Sequence, residues 1–547
     1  RGAFSHPFAT TKPPNRAGPP EAYSLSAPAP PLKRAAARAG ARGGERAGPG
    51  AGRARPQPLA AAVAANRHSP LLQAYDPAGH RIDHVAFHPA WALLMSGAMK
   101  RGLHCRSWAQ PGPAAHLTRA AGFFLQGQVE AGTLCPVTMT HAAIPLLMRE
   151  PAGAIDYARD WLPRLLARGF DGADAPLGAK QSALLGMGLT EKQGGSDLRA
   201  ITTQARPQGR PGRGQPYWLV GHKWFLSVPQ ADAHLVLARG DEGISCFFMP
   251  RWIPGGPRNA VRLRRLKDKL GNRSNASAEV EFEDAWAVLL GEPGKGMALL
   301  LEMAATTRLD CVLGSAALLR QGLVQAMHHA QQRQAFGRAL VDQPIMRAVL
   351  ADLALESEAA MLLGLRLAQA MDGGERLLLR VATPAAKLWV CKRAIAALGE
   401  AMEALGGNGY VEEGPLARLY REAPVNSIWE GSGNVMALDV LRALAREPQA
   451  LEVLRQELAL ARGLDARYDQ ALAAWLALAA RPEEGQGRDL AGGLARLMQA
   501  ALMLRHAPQP LGQAFAATRL AAAGLHGENL PAPAIAAILA RAWPAIC

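Results

Sequence analysis

Residues 428 to 434 read Ile-Trp-Glu-Gly-Ser-Gly-Asn, and far upstream residues 187 to 197 read Met-Gly-Leu-Thr-Glu-Lys-Gln-Gly-Gly-Ser-Asp. The first string sets one carboxylate, Glu430, between an aromatic residue, Trp429, and a run of small residues ending in the amide of Asn434. The second offers hydroxyls at Thr190 and Ser196. Its glycines, Gly194 and Gly195, let backbone N–H groups approach a ligand with no side chain in the way. A flat, phosphate-bearing cofactor with a base beside it needs both. A carboxylate near an apolar ring is desolvated, which raises its pKa toward the range useful for taking a proton. Taken alone, the glycine string is equally an ordinary turn, and Glu430 could be a solvated surface group.

Other strings add to this pair. Gly221-His-Lys-Trp-Phe-Leu-Ser227 supplies two aromatics, Trp224 and Phe225, and the Ser227 hydroxyl. They could flank a planar ring and donate to its edge, or they could simply be core. Arg333-Gln-Ala-Phe-Gly337 follows a long helical pattern. Its guanidinium can fork onto a pyrophosphate, and Phe336 can pack on an adenine. Leu405-Gly-Gly-Asn-Gly-Tyr410 is a further glycine-rich turn, most simply a helix C-cap.

The elements that must position these groups follow from periodicity. From 59 to 180 apolar residues recur at spacings of three and four, as in Trp91 to Met99 and Ala114 to Ala131. Between 181 and 290 the period shortens. Tyr217-Trp-Leu-Val-Gly221, His234-Leu-Val-Leu-Ala238, Ser245-Cys-Phe-Phe-Met249 and Ala278-Glu-Val-Glu-Phe-Glu-Asp284 read as strands. From 291 to 440 long helices return, expected over 297–334, 344–370 and 384–405, as in a bundle. Residues 441 to 547 are Ala/Leu-rich and helical, broken near 481–487 and at Pro531 and Pro533. The expected fold is mainly α with an inserted β-domain. Residues 1 to 58, rich in Pro, Ala, Gly and Arg, lack the apolar surface to offset their ordering entropy, and disorder is expected there.

At 547 residues the chain has room for several domains. No apolar run is long enough to cross a bilayer, and no secretory pattern opens the chain, so no membrane role and a cytoplasmic location are expected. Six scattered cysteines form no Cys-x-x-Cys pair, which argues against a metal site or a disulfide framework. Net charge is +16, and residues 1 to 58 alone hold ten Lys/Arg against two Glu. Residues 441 to 547 are close to balance, with eleven Arg against nine acids. A basic excess favours polyanions, although Arg, Ala, Gly and Pro are also what a GC-rich genome encodes.

In this order the strings resemble the acyl-CoA dehydrogenase superfamily. They are Thr190-Glu-Lys-Gln-Gly-Gly-Ser-Asp197, Lys223-Trp-Phe-Leu-Ser227, Arg333 to Gly337, Leu405 to Tyr410 and the Glu430-Gly-Ser turn. His88-Pro-Ala-Trp91, Leu134-Cys-Pro-Val-Thr-Met-Thr140, Leu266 to Ser277 and Pro424 to Asn434 are similar to the AidB-type branch, linked to the bacterial response to alkylating agents. The likeness runs from about residue 70 to 445.

The resemblance implies an N-terminal helical domain, a barrel-like middle domain, a four-helix bundle and an extra C-terminal helical domain. It implies FAD between the β-domain and the bundle. Met187, Thr190, Gly195 and Ser196 would hold the pyrophosphate and ring edge. Trp224, Phe225 and Ser227 would cover the ring, and Trp429 and Asn434 would close the site. Glu430 would take the α-proton of an acyl-CoA thioester such as isovaleryl-CoA, the flavin serving as electron acceptor. Arg333 and Phe336 would reach a neighbouring subunit's FAD in a homotetramer. One departure weakens that last point, since the family's Gln eight residues after the Phe is Pro344 here, with Gln343 one residue early. Lys192 and Gln193 replace the family's Pro-Gly, which would bring a cation and an amide to the pocket rim. The C-terminal domain would bind double-stranded DNA through phosphate contacts, with Arg442 of Asp439-Val-Leu-Arg442 among them. Two alternatives are an ordinary metabolic acyl-CoA dehydrogenase that never meets DNA, and a DNA-shielding protein in which FAD is structural.

Overall fold

The computed structural model describes residues 56–520 and 531–542. Helix α1 (Pro56–Arg67) leads into a hairpin of β1 (Leu71–Tyr75) and β2 (Arg81–Ala86). Helix α2 (Pro89–Lys100) follows, with Pro89 in its first turn and the His88 ring accepting from the Ala90 N–H. Its apolar stripe buries Trp91, Leu94, Met95, Ala98 and Met99. Helices α3 (Ala115–Val129) and α4 (Leu134–Leu147) complete this block, α4 being buried on nearly every side.

Seven strands follow: β3 (Leu185–Gly188), β4 (Gln204–Pro207), β5 (Pro216–Ser227), β6 (Ala233–Gly240), β7 (Gly243–Pro250), β8 (Val261–Leu266) and β9 (Ser277–Leu290). Their order is β3-β5-β4-β6-β7-β9-β8, and the further pairings β3–β6 and β5–β9 curl the sheet into a barrel-like unit. Leu219, Leu226, Val236, Phe247, Val280 and Phe282 fill its interior. On the outer face of the edge, Arg262, Arg264 and Arg265 of β8 pair across to Glu283, Glu281 and Glu279 of β9.

Helix α5 (Gly296–Gln332), the hairpin β10 (Gln334–Ala335) and β11 (Arg338–Ala339), and helices α6 (Pro344–Asp372) and α7 (Arg376–Glu403) come next. With α8 (Leu416–Asn426) and α9 (Gly433–Arg446), the three long helices form a bundle. Helices α10 (Gln449–Ala459), α11 (Ala466–Ala480), α12 (Gly487–His506), α13 (Gln509–Arg519) and α14 (Ala532–Ala542) make a further helical layer. Buried ion pairs bolt this layer to α6. Arg519 meets Asp352 at 2.7 Å and Glu356 at 2.9 Å, and Arg541 meets Glu358 at 2.6 Å.

Several expectations change. The hairpin β1–β2 lies within the stretch read as wholly helical. Residues 56–58, read as part of a disordered tail, begin α1; residues 1–55 lie outside the described residues. Pro384 does not start a helix but sits inside α7, where Val381, Ala382, Ala385 and Ala386 are buried and packing outweighs the missing N–H. Among the described residues no helix is long and apolar enough to cross a membrane, and no His/Cys/Asp/Glu cluster could hold a metal.

Candidate functional site

The string at 187–196 and the string at 224–227 are neighbours on one sheet. Met187 of β3 pairs with Ser227 of β5, Gly188 with Leu226, and the Trp224 N–H donates to the Thr190 carbonyl at 2.8 Å. The pairing of β5 with β9 is irregular between Lys223 and Leu226, where Trp224 and Phe225 sit. Lys267 lies 3.6 Å from the Trp224 ring centre and 4.5 Å from that of Phe225, and is held by Glu279 at 2.6 Å. Lys192 and Arg265 stand further out over Trp224. Phe225, 46% exposed, is the open ring of the pair.

Past β3 the chain turns at Lys192-Gln193, with Glu191 and Gly194 exchanging both backbone bonds. Gly195 backs onto Thr190, where a Cβ would come 3.2 Å from the threonine methyl. The hydroxyls of Thr190 and Ser196 and the N–H groups of Gly195 and Ser196 have no partner among the described residues. The loop's own carboxylate points away from this rim. Glu191 is buried against Lys223 at 2.6 Å. The amide expected at the rim also turns inward, since Gln193 donates to Glu191, the Ala200 carbonyl and Thr202. Lys192 is exposed at the rim, with its ammonium 5.5 Å from the Trp224 ring centre. A donor-rich rim with cations nearby, beside an open aromatic ring, fits the pyrophosphate and ring edge of FAD.

Glu430 sits in the turn between α8 and α9 with φ of +57°, in the left-handed region. The turn is held on all sides. Thr307 of α5 donates to the carboxylate at 2.6 Å, and Arg308 to the Glu430 carbonyl at 3.0 Å. Buried Lys387 of α7 donates to the Gly431 carbonyl at 2.7 Å. Arg308 is fixed in turn by Asp439 at 2.6 Å, which Arg380 also meets at 2.8 Å. Burial would push Asp439 up, but the two guanidiniums hold it below the usual carboxylate range.

The thiol of Cys135 on α4 is fully buried, and that burial pushes its pKa up to about 12. Val228, next to Ser227, has φ of +56°, rare for a β-branched residue, and Phe336 has φ of +52°. With Asn272, φ +55°, in the Leu266–Ser277 string, four of the left-handed non-glycine residues fall on or beside the strings singled out from sequence, where strained backbone tends to collect.

Other expected residues lie elsewhere. The Trp429 indole donates to Asn426 at 3.1 Å and packs on the core. Asn434, exposed at the start of α9, accepts from Arg488 of α12 at 2.8 Å. Arg333 and Phe336 are not part of this cluster. They flank the β10–β11 hairpin, whose tip leaves Phe336 98% exposed, and Gln343 folds back onto the Ala335 carbonyl. Along α5 and just past its end, Arg333 comes 26 residues after Thr307, about 39 Å at ~1.5 Å per residue. Within one chain it cannot meet the ligand that Glu430 meets. Gly406, φ +59°, follows the end of α7 in the expected capping turn. Arg442 is exposed on α9 and has no partner among the described residues.

Sequence reasoning missed Thr307, Arg308, Lys387 and the inward turn of Glu191. Thr306-Thr307-Arg308 interrupting an otherwise apolar helix was the available signal.

Comparison with known proteins gives a consistent picture. Residues 15–172 match the Adaptive response protein AidB N-terminal domain. Residues 186–285 match the acyl-CoA dehydrogenase middle domain, and residues 294–445 its C-terminal domain. The putative acyl-CoA dehydrogenase AidB of Escherichia coli (strain K12) is 47% identical over 488 residues, covering 88% of each chain. Acyl-CoA dehydrogenase family member 11 of Caenorhabditis elegans is 30% identical over 71% of this chain and 64% of its own length. Among solved structures, Bd2924 in its apo form superposes with a TM-score of 0.75 at 29% identity, over 87% of this chain and 93% of that one. Caenorhabditis elegans ACDH-11 in complex with C11-CoA superposes at 0.79 over 99% of this chain and 93% of that one. At 23% identity that second likeness speaks for the fold alone.

Proposed function

The chain belongs to the acyl-CoA dehydrogenase family, in its AidB-like branch, and from that premise we propose an oxidoreductase of CH–CH groups that also binds duplex DNA and shields it from alkylation. FAD is the cofactor, and when bound it supplies a two-electron acceptor beside the acyl chain. Thr190, Gly195 and Ser196 hold its phosphates and ring edge through the free donors of the loop. Phe225 covers the ring and Ser227 donates to its rim. Glu430 removes the α-proton of an acyl-CoA thioester, with short branched acyl chains such as isovaleryl as substrates and modest turnover. Thr307 fixes the carboxylate for that step by donating to it at 2.6 Å. Trp429 and the start of α9 close the site. Arg333 and Phe336, stranded on the hairpin, serve the cofactor of another copy in a homotetramer.

The observation that carries the enzymatic reading is the Glu430 turn, held by Thr307, Arg308 and Lys387. The DNA reading is carried by arginines that have no partner among the described residues. Arg442 and Arg446 lie one turn apart on the exposed side of α9, and Arg462 and Arg481 stand free in the layer beyond. Such cations meet phosphates without reading bases. The five described cysteines are all free and buried, which suits a cytoplasmic, reducing setting.

Two measurements on one sample test this. Adding isovaleryl-CoA under anaerobic conditions bleaches the flavin absorbance if the enzymatic reading holds. A duplex-DNA mobility shift at graded salt gives binding that weakens steeply as salt rises if the second reading holds. A flat response up to micromolar protein leaves a purely metabolic dehydrogenase.

A further inference from the structure

Glu191 and Lys223 form a buried ion pair directly behind the cofactor loop, and both side chains are fully shielded from solvent. The carboxylate gathers six donors. Lys223 Nζ lies at 2.6 Å, the Thr203 hydroxyl at 2.5 Å and its N–H at 3.2 Å. The Thr202 N–H lies at 2.6 Å, the Thr202 hydroxyl at 3.0 Å and the Gln193 amide at 2.7 Å. Burial would raise the Glu191 pKa, but Lys223 and these donors hold it at about 2. Burial lowers Lys223 to about 8, against the pull of Glu191.

Such a pair is a poor choice if stability alone were at stake. Desolvating two charges costs about what their attraction returns, and apolar side chains of equal size often do as well. What the pair does accomplish is geometric. Glu191 stands between Thr190 and Ser196, the two free hydroxyls. It fixes the loop's root to the middle of β5, one residue before Trp224 and two before Phe225. The same loop is tied to β5 again where the Lys192 N–H donates to the His222 ring at 3.1 Å and the His222 N–H donates to the Thr203 hydroxyl at 3.3 Å. Through Gln193, Thr202 and Thr203 the carboxylate also gathers both arms of the turn. Few other bonds order this stretch, whose regular structure amounts to one isolated bridge, Glu191 to Gly194, and a short 3-10 turn, Leu198–Ala200.

We infer that Glu191 and Lys223, with Gln193, are positioning residues that preset the loop for FAD, so that the phosphate donors and the ring wall keep one spacing before the cofactor arrives. This rests on the reading that the loop holds FAD. Neither residue touches the cofactor, so their loss acts on affinity, while the rate of the fully loaded protein stays the same.

The test uses folded apo-protein titrated with FAD and followed by flavin fluorescence, with thermal melts alongside. Glu191→Gln is expected to raise the FAD Kd by about tenfold or more, and the exposed Gln193→Ala by about threefold, as loss of outer-shell support does at other preorganised sites. Flavin bleaching at saturating FAD should proceed at the wild-type rate. Glu356→Gln is the matched control. It leaves Arg393 and Arg519 short of a partner in the helical layer, so it lowers the melting point while leaving the FAD Kd within twofold. A Glu191→Gln Kd within twofold of wild type overturns the inference, as does an equal loss in Glu356→Gln. If Glu191→Gln does not fold, Gln193→Ala decides: an unchanged Kd there overturns it. Thr190→Val separates the two levels. If it leaves the Kd unchanged, the loop does not hold FAD at all. If it weakens FAD while Glu191→Gln does not, only the positioning role fails.

Discussion

At the Thr190–Ser196 loop the carboxylate is turned inward, Glu191 against Lys223, and the Thr190 and Ser196 hydroxyls are left without a partner among the described residues. On α9 Asp439 is likewise tucked beneath, against Arg308 and Arg380, but Arg442 and Arg446 stand in solvent with no partner among the described residues. The first region is preorganised for a single ligand of fixed shape. The second is a set of exposed cations, which under the proposed function meet the phosphates of duplex DNA. Helix α9 begins just after the Glu430 turn, and its later turns carry the arginines.

The comparison can be broken at its inner side first. Arg308→Met removes the donor to the Glu430 carbonyl and one of the two partners of Asp439. A loss of about 3 kcal/mol in unfolding free energy is expected, as for other half-broken buried pairs, read from the denaturant midpoint. The double change Thr190→Val with Ser196→Ala removes two hydroxyl donors. It should raise the FAD Kd by about 10- to 100-fold by fluorescence titration, with little change in the melting point. The outer side should behave in the opposite way. Arg442→Ala with Arg446→Ala should leave stability within about 0.5 kcal/mol. The log–log salt slope of DNA binding should become shallower by about 2.

The smallest expected effect concerns Glu422, buried on α8. Burial pushes it up to about 7, partly offset by Arg418, Lys269 and the Asn272 N–H, and Glu130 adds to the rise. The folded chain then holds a proton that the unfolded chain releases at ordinary carboxylate pH. Stability from this group therefore falls as pH rises from about 4.5 to 7. Glu422→Gln should flatten that slope, on the order of 1 °C per pH unit for a chain this long, in melts at pH 5, 6 and 7.

Much of the architecture was legible. Strands β6 and β7 announce themselves as short apolar runs, and β9 by its alternation, because the barrel buries one or both of their faces. Strand β8 escaped because an edge position tolerates arginines, whose charges are answered by glutamates on β9, distant in sequence, and β4 because four residues, Gln-Ala-Arg-Pro, are too few to show an alternation. Hairpin β1–β2 escaped because five or six residues of mixed polarity do not stand out inside helical surroundings. At the site, the Glu430 turn was visible from its glycines. Its support was not, since Thr307, Arg308 and Lys387 lie on other helices and only folding makes them neighbours. Arg333, expected at a neighbouring subunit's FAD, lies a helix length from Thr307 within one chain.

The account stands most directly on the carboxylate at the turn before α9. Single-turnover bleaching of bound flavin by isovaleryl-CoA, followed in a stopped-flow instrument, compares wild type with Glu430→Gln. The expected result is FAD bound equally by both proteins, and bleaching at least about 1,000-fold slower in the variant, as for loss of a positioned base. Equal bleaching by the two proteins would contradict it.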